Sequence, residues 1–374
     1  MSRARIATAA AAVLVVVVGV AIVVVRMAPD GLESAQPLEP AEARRLAEEA
    51  ARRFFTDYVT DDGRVVRHDQ GGDTVSEGQA YAMLLAVALD DADRFASVWD
   101  WTRANLQRDD GLLSFRWDGG AVVGEDPASD ADLDAARALV LAADRFGESR
   151  YRDDARRLAE AIVAHETVSV AGATVLVPGP WATGAPPWWM NVSYLDPRGF
   201  ATLAAAVGDP VWEGMRSSTY RLVDQATGDQ RPSLPANWSR LDASVQLRPS
   251  GPPDDPQADP VYGFEAVRVP IRLGADCEQR GRLLAGRMWP FLRDQVGDRL
   301  APEYRLDGTP AAEGRHPVAF VAAAGAASGA GERDGAAWLL ERAEAVQGDQ
   351  PSYYGGAWIA LGRVLLTTDL LDEC

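Results

Sequence analysis

Apolar residues recur at helical spacing from position 41 onward. The stretch AEARRLAEEAARRFFTDYV sets Leu46, Ala50, Phe54 and Tyr58 about one turn apart on an otherwise charged segment, the pattern of an amphipathic helix. Residues 81–89 and 94–106 predict a helix pair, 132–146 and 151–165 a second, and 200–207 with 212–226 a third. Residues 261–273, 278–296, 317–327, 336–346 and 355–366 continue the series. Alternation of the strand type is scarce; SVAGATVLV, residues 169–177, predicts a hairpin. The pattern therefore predicts one all-α domain over residues 41–374, built from antiparallel helix pairs. The loops between pairs are long and carry Trp, Tyr, Asp and Pro, as in PWATGAPPWWMNVSYLDP and RPSGPPDDPQADP. Such loops on a helical scaffold are where sites usually lie.

Ahead of the helical body the pattern changes. IATAAAAVLVVVVGVAIVVV, residues 6–25, has no charge and is long enough to cross a bilayer as a helix. Arg3 and Arg5 precede it and Arg26 follows. Residues 1–26 read as a membrane anchor or as a signal segment. The anchor is favoured, because no small-x-small cleavage site follows the apolar run. It makes a single-pass protein of the cell membrane with an extracytoplasmic body; cleavage makes a secreted one. Residues 27–40, MAPDGLESAQPLEP, form a polar linker.

Composition narrows the function. With 374 residues, 47% of them hydrophobic, the chain can bury a large core. Its net charge is −18 and it has no Lys, which argues against a nucleic-acid partner. Cys277 and Cys374 are the two cysteines; they form one disulfide or stay as two thiols, and they exclude a Cys-based zinc pattern. His68, His165 and His316 show no ligand spacing, so neither a metal site nor a His-based triad is expected. A monomer is expected.

Three acidic clusters bear on chemistry. DTVSEGQAYAMLLAVAL puts Glu77 at the start of an apolar run, where Thr74-x-x-Glu77 reads as a capping box. ASDADLDAARALVLAADRF sets Asp130, Asp132 and Asp134 at one helix mouth. Capping and the helix dipole account for one or two of them, not for three that repel one another. In YGFEAVRVPIRL, Glu265, Arg268 and Arg272 follow at one-turn intervals in an otherwise apolar segment. Aromatic residues, among them Phe115, Trp117, Trp181, Trp188, Trp189, Tyr194, Trp238, Tyr353 and Tyr354, gather near predicted helix ends and loops. Carboxylates with exposed rings suit a neutral polar polymer such as a polysaccharide.

These segments, together with MNVSYLDP and SYYGGAWIALGRVLL, resemble family 8 glycoside hydrolases in sequence and order over about residues 45–370. The resemblance implies an (α/α)6 barrel of six inner and six outer helices. It implies inverting cleavage of internal β-1,4 linkages of a glucan such as cellulose, with chitosan or xylan as alternatives, and no cofactor. Glu77 of SEGQ then corresponds to the general acid and Asp130 to the carboxylate that binds the distorted sugar at the cleavage subsite. Tyr194 of NVSY helps hold the attacking water, and Arg268 lies three residues after the base. Phe115, Trp117, Trp188 and Tyr353 stand as substrate-binding aromatics. One departure matters. The family commonly has Asp as base in Y-D-A-x-R, whereas this chain reads Phe264-Glu265-Ala266-Val267-Arg268. Glu265 is the expected base, one methylene longer than Asp, with Asp242 and Asp255 as alternatives. A lost base would leave a glycan-binding protein.

Overall fold

The computed structural model describes residues 30–228, 232–297, 299–371 and 374. The apolar run 6–25 lies outside them. A helical turn α1 (Asp30–Glu33) precedes α2 (Pro40–Tyr58). Strand β1 (Thr74–Val75) leads into α3 (Ser76–Ala88) and α4 (Ala92–Asn105); β2 (Arg116–Asp118) and β3 (Ala121–Gly124) precede α5 (Ser129–Phe146) and α6 (Ser149–His165). The hairpin β4 (Thr167–Val170) and β5 (Ala173–Leu176) and strand β6 (Trp188–Met190) lead to α7 (Pro197–Val207) and α8 (Val211–Thr227). Strands β7 (Trp238–Leu241), β8 (Leu247–Ser250) and β9 (Val261–Tyr262) come before α9 (Arg268–Gly274), α10 (Gln279–Gly286) and α11 (Trp289–Gln295). The chain continues through β10 (Tyr304–Arg305), α12 (Pro317–Gly329), α13 (Arg333–Asp349) and α14 (Tyr353–Thr367).

Helices α3, α5, α7, α9, α12 and α14 pack in that order into a closed inner ring, α14 returning to α3. Each carries an outer partner: α4 on α3, α6 on α5, α8 on α7, α10 on α9, α13 on α12 and α2 on α14. This is the (α/α)6 barrel. Composition sorts the two rings. The inner α12, PVAFVAAAGAASG, is apolar all round and buried from Pro317 to Ala327. The outer α2 buries Ala43, Ala47, Ala51, Phe54 and Phe55 on one side and lines the other with Arg–Glu pairs, as a surface helix should. Small residues let the inner helices touch backbone to backbone. A Cβ on Gly274 of α9 would lie 2.2 Å from the Gly325 carbonyl oxygen of α12, which no side chain tolerates.

Two expected helices differ. The segment 261–273 is helical only from Arg268; Val261–Tyr262 pairs with β10, and tight turns fill 263–267. The segment 278–296 divides into α10 and α11. Pro290 explains the break: it has no N–H to donate and its ring clashes with the carbonyl four residues back, at Gly286. The sheets are small and antiparallel, β1-β2-β3, β4-β5, β6-β7-β8 and β9-β10. The β2–β3 hairpin turns at Gly119 and Gly120, both at positive φ, the conformation such a turn demands. Among the described residues no helix is long and apolar enough to cross a membrane.

Cys277 and Cys374 form a disulfide, Cα atoms 5.5 Å apart and 97 residues apart in sequence. It ties the C-terminus to the segment between α9 and α10. Closing a loop of that length disfavours the unfolded chain by roughly 4–5 kcal/mol in the chain-entropy model. Cys277→Ser is expected to lower the melting temperature by on the order of 10 °C. A thermal scan in which variant and parent coincide would contradict this.

Candidate active site

The N-terminal ends of the inner helices converge at one pole, and the acidic clusters meet there. Glu77 is the second residue of α3. The expected capping box is not formed, because the chain is still a strand at Thr74. Its hydroxyl donates to the Val65 carbonyl (2.6 Å) and accepts from Arg64 Nε (2.8 Å). The N-cap is Val75, without a capping side chain. Glu77 is thus free of a capping role. Ser76 N–H donates to the Phe115 carbonyl at 2.9 Å. Gln79 accepts from Val65 N–H (2.6 Å) and donates to Thr102 Oγ1 (2.8 Å). These bonds fix the SEGQ turn against its surroundings. Burial, and then the Asp130 charge, push the Glu77 carboxyl up to about 8. They outweigh Arg268, which favours the ionised form. Gly78 leaves room for Tyr353: a Cβ there would lie 2.5 Å from the Tyr353 hydroxyl. That hydroxyl is buried without a hydrogen-bond partner among the described residues.

The three aspartates of α5 divide by helix face. Asp130 and Asp134, one turn apart, take the two arginines of α9. Arg268 Nη1 donates to Asp130 Oδ2 at 2.7 Å. Arg272 donates to both Asp134 oxygens at 2.8 and 2.7 Å and to Asp196 at 3.0 Å. Arg137 also donates to Asp196, at 2.8 Å. Asp132 points the other way and accepts from Leu113 N–H at 2.9 Å; burial, and then the Asp130 charge, raises its carboxyl against that hydrogen bond, and burial, and then the Asp132 charge, raises the Glu166 carboxyl. So repulsion at the helix mouth is relieved at Asp130 and Asp134 by two guanidinium groups, while Asp132 faces away from them. Burial lifts Asp130 to about 6 against the pull of Arg268.

Glu265 sits in the turns just before α9. Asn237 Oδ1 accepts from Gly263 N–H (2.9 Å) and Ala266 N–H (3.0 Å) and so pins that loop. Arg268 Nη2 and Asn191 Nδ2 both donate to Glu265 Oε2, the latter at 3.1 Å. Arg268 therefore bridges Asp130 and Glu265, and its guanidinium carbon lies 5.0 Å from the Tyr194 ring centroid. Asn191 and Asn237 escaped the sequence reading. Asn191 stood in the quoted MNVSYLDP; Asn237 lies 26 residues before the loop it pins, with no local signal.

The aromatic candidates flank this centre on two sides. Trp117, on β2, packs under the Arg64 guanidinium (4.3 Å) and edge-on to Trp101 (5.5 Å); half-buried Phe115 is two residues earlier. Across from them, Trp238 of β7 meets Trp181, Trp189 and Tyr194 at 6.2–6.3 Å between centroids. Trp188, adjacent on β6, donates its indole N–H to the Gly184 carbonyl (2.5 Å). Trp181 and Phe264 are exposed by 42% and 38%, large rings open to solvent; Phe264 immediately precedes Glu265 and was not singled out. Asp242 and Asp255 do not join the centre. Asp242 Oδ1 accepts from Ser244 and Gln246 N–H groups in the β7–β8 turn, and Asp255 is exposed in the following loop. Among the described residues no cluster of His, Cys, Asp and Glu could hold a metal ion.

Residues 41–275 match the family described as Glycosyl hydrolases family 8. The chain belongs to that family. An endoglucanase of Salmonella typhi is 30% identical over 290 residues, which cover 73% of this chain and 75% of that one. A probable endoglucanase of Novacetimonas hansenii is 31% identical over 226 residues, 58% of this chain and 64% of the relative's length. Among solved structures, an endo-beta-1,4-glucanase from Acetobacter xylinum superposes with a TM-score of 0.71 at 25% identity, covering 85% of this chain and 97% of that one. A beta-1,3-1,4-glucanase from Paenibacillus sp. X4 reaches 0.77 at 19% identity, covering 89% and 94%. This family 8 chain is therefore a glycoside hydrolase.

Proposed function

We propose that this enzyme cuts internal β-1,4 linkages of a glucan such as cellulose with inversion, and that Glu77 and Glu265 are its acid and base. The observation that carries the reading is the pair of unlike carboxyls at one pole. Glu77 is raised to about 8, so it holds a proton at neutral pH, as a general acid must. Glu265 has Oε2 engaged by Arg268 and Asn191, while Oε1 makes no hydrogen bond among the described residues. Glu77 gives its proton to the glycosidic oxygen as the bond to the anomeric carbon breaks. Water on the opposite face, held by Tyr194 and deprotonated by Glu265, attacks that carbon and inverts it. Asp130, fixed by Arg268, bonds the hydroxyls of the distorted sugar. Phe115, Trp117 and Trp188 give stacking surface to neighbouring sugars, whereas Tyr353 is buried with its ring against Phe54 and Tyr58 and offers none. The reaction needs no cofactor.

Residues 41–374 form the catalytic domain in this reading, and the uncharged run 6–25 tethers it to the membrane with the body outside. A panel of carboxymethylcellulose, lichenan, chitosan and xylan tests the substrate. Reducing ends are expected to rise fastest on the two β-glucans, with viscosity of carboxymethylcellulose falling early. Faster release from chitosan or xylan would replace the glucan reading, and binding without release would make the chain a glycan-binding protein.

A further inference from the structure

The barrel has two unlike poles, and the chain enters at the one away from the chemistry. Glu77, Asp130, Arg268 and Tyr353 all lie in the first turns of inner helices. The outer helices run antiparallel to their inner partners, so α2 and α13 begin at the opposite pole. There Leu38 and Pro40 line a groove of about 990 Å³ together with Gly274, Gly329 and Thr367, the last residues of α9, α12 and α14 or their neighbours.

The segment before α2 is not a loose strap. Helix α1 packs on α13. A Cβ on Gly31 would lie 2.8 Å from Trp338 Cζ2, and a Cβ on Gly335 would lie 3.1 Å from Leu32 Cδ1; Leu32 itself is buried. The chain is thus fastened to this pole from α1 onward. Between the uncharged run ending at Val25 and α1 starting at Asp30 stand four residues, 26–29. Even fully extended, they reach about 14 Å.

The surface around the groove suits what such a short tether would bring against it. Leu283 is 61% exposed. Arg282 gives its guanidinium to the carbonyls of Asp276 and Cys277 (2.6 Å each) rather than to a carboxylate. Arg333 has no partner among the described residues, while Asp334 and Asp369 share the rim.

We infer that this pole, opposite the catalytic one, is the docking face for the bilayer that holds residues 6–25, so that the catalytic pole faces away from the membrane. The inference rests on the tether reading above. It makes the enzyme one that meets polymer arriving from outside rather than glycan lying on the bilayer surface.

Spin labels on Leu283→Cys and Val123→Cys test it, the native cysteines being paired. Val123 is 56% exposed on β3, beside the entry to α3. Leu283 lines the groove at the far pole and Val123 lies in the β1-β2-β3 sheet that leads into α3 at the catalytic pole, so the two labels sit toward opposite ends of the barrel. The full chain is reconstituted into phosphatidylcholine–phosphatidylglycerol vesicles carrying a nickel-chelating lipid. Relaxation of the Leu283 label is expected to rise several-fold and that of the Val123 label less than twofold. Equal or reversed enhancement in a chain that floats with the vesicles overturns the docking face and leaves the tether standing. A chain that does not float with them overturns both.

Discussion

Glu77→Gln is expected to lower turnover by roughly 10²–10⁴-fold, the range for a lost general acid, while the fold persists. Glutamine keeps the shape of the carboxyl and loses the proton. The variant carries a second, independent signature in stability. The Glu77 carboxyl sits at about 8 in the folded protein against its ordinary 4.5. Between those values the folded chain binds a proton that the unfolded chain has released. The folded state therefore loses stability as pH rises across that window, and is unpenalised below it. Glutamine does not titrate. The melting temperature of the variant should match the parent's near pH 4.5 and exceed it increasingly toward pH 8. Loss of activity with no such divergence would mean that Glu77 is not the raised carboxyl. Parent-like turnover would remove it from the chemistry altogether.

The second large effect concerns Glu265, where the chain departs from the Asp common in its family. Glu265→Ala is expected to cut turnover by about 10²–10⁴-fold with KM nearly unchanged. Glu265→Asp should keep substantial activity, because it retains a carboxylate facing the same water. The competing account is a plain ion pair with Arg268. That pair is half-exposed on the Glu265 side, and Arg268 keeps Asp130 at 2.7 Å when Glu265 is gone. Removal should thus cost little stability, on the order of 1 kcal/mol, as for partly exposed pairs. Turnover and melting temperature measured together separate the accounts. A large thermal loss with turnover kept at low temperature would make Glu265 structural.

Much of the barrel was readable from pattern because its two rings differ in chemistry. Apolar runs such as PVAFVAAAGAASG can only be interior helices, and charged amphipathic ones such as α2 can only be exterior. The short strands were harder. Trp188–Met190 and Trp238–Leu241 are too brief for alternation to register, and they pair across 50 residues of chain. The start of α9 was misjudged for a related reason. Tyr262, Ala266 and Val269 continue the helical period backward from Leu273, but Asn237 and strand β10 hold the segment in another shape. At the site, the residue types were visible and their partners were not. The clustering of Asp130, Asp132 and Asp134 posed a repulsion, and its resolution by Arg268 and Arg272 lies 138 residues away. Likewise Thr74-x-x-Glu77 matched a capping box in sequence, yet the pairing of β1 with β2 keeps Thr74 extended and sends its hydroxyl to Val65.

The most direct test of the account follows the anomer first released from cellopentaose, observed by proton NMR within the opening minutes of reaction. Direct attack of a Glu265-activated water, with Glu77 protonating the leaving oxygen, predicts that the α-anomer appears first and the β-anomer grows only by mutarotation. First release of the β-anomer would require a covalent intermediate on a carboxylate and would contradict the acid–base assignment at its root.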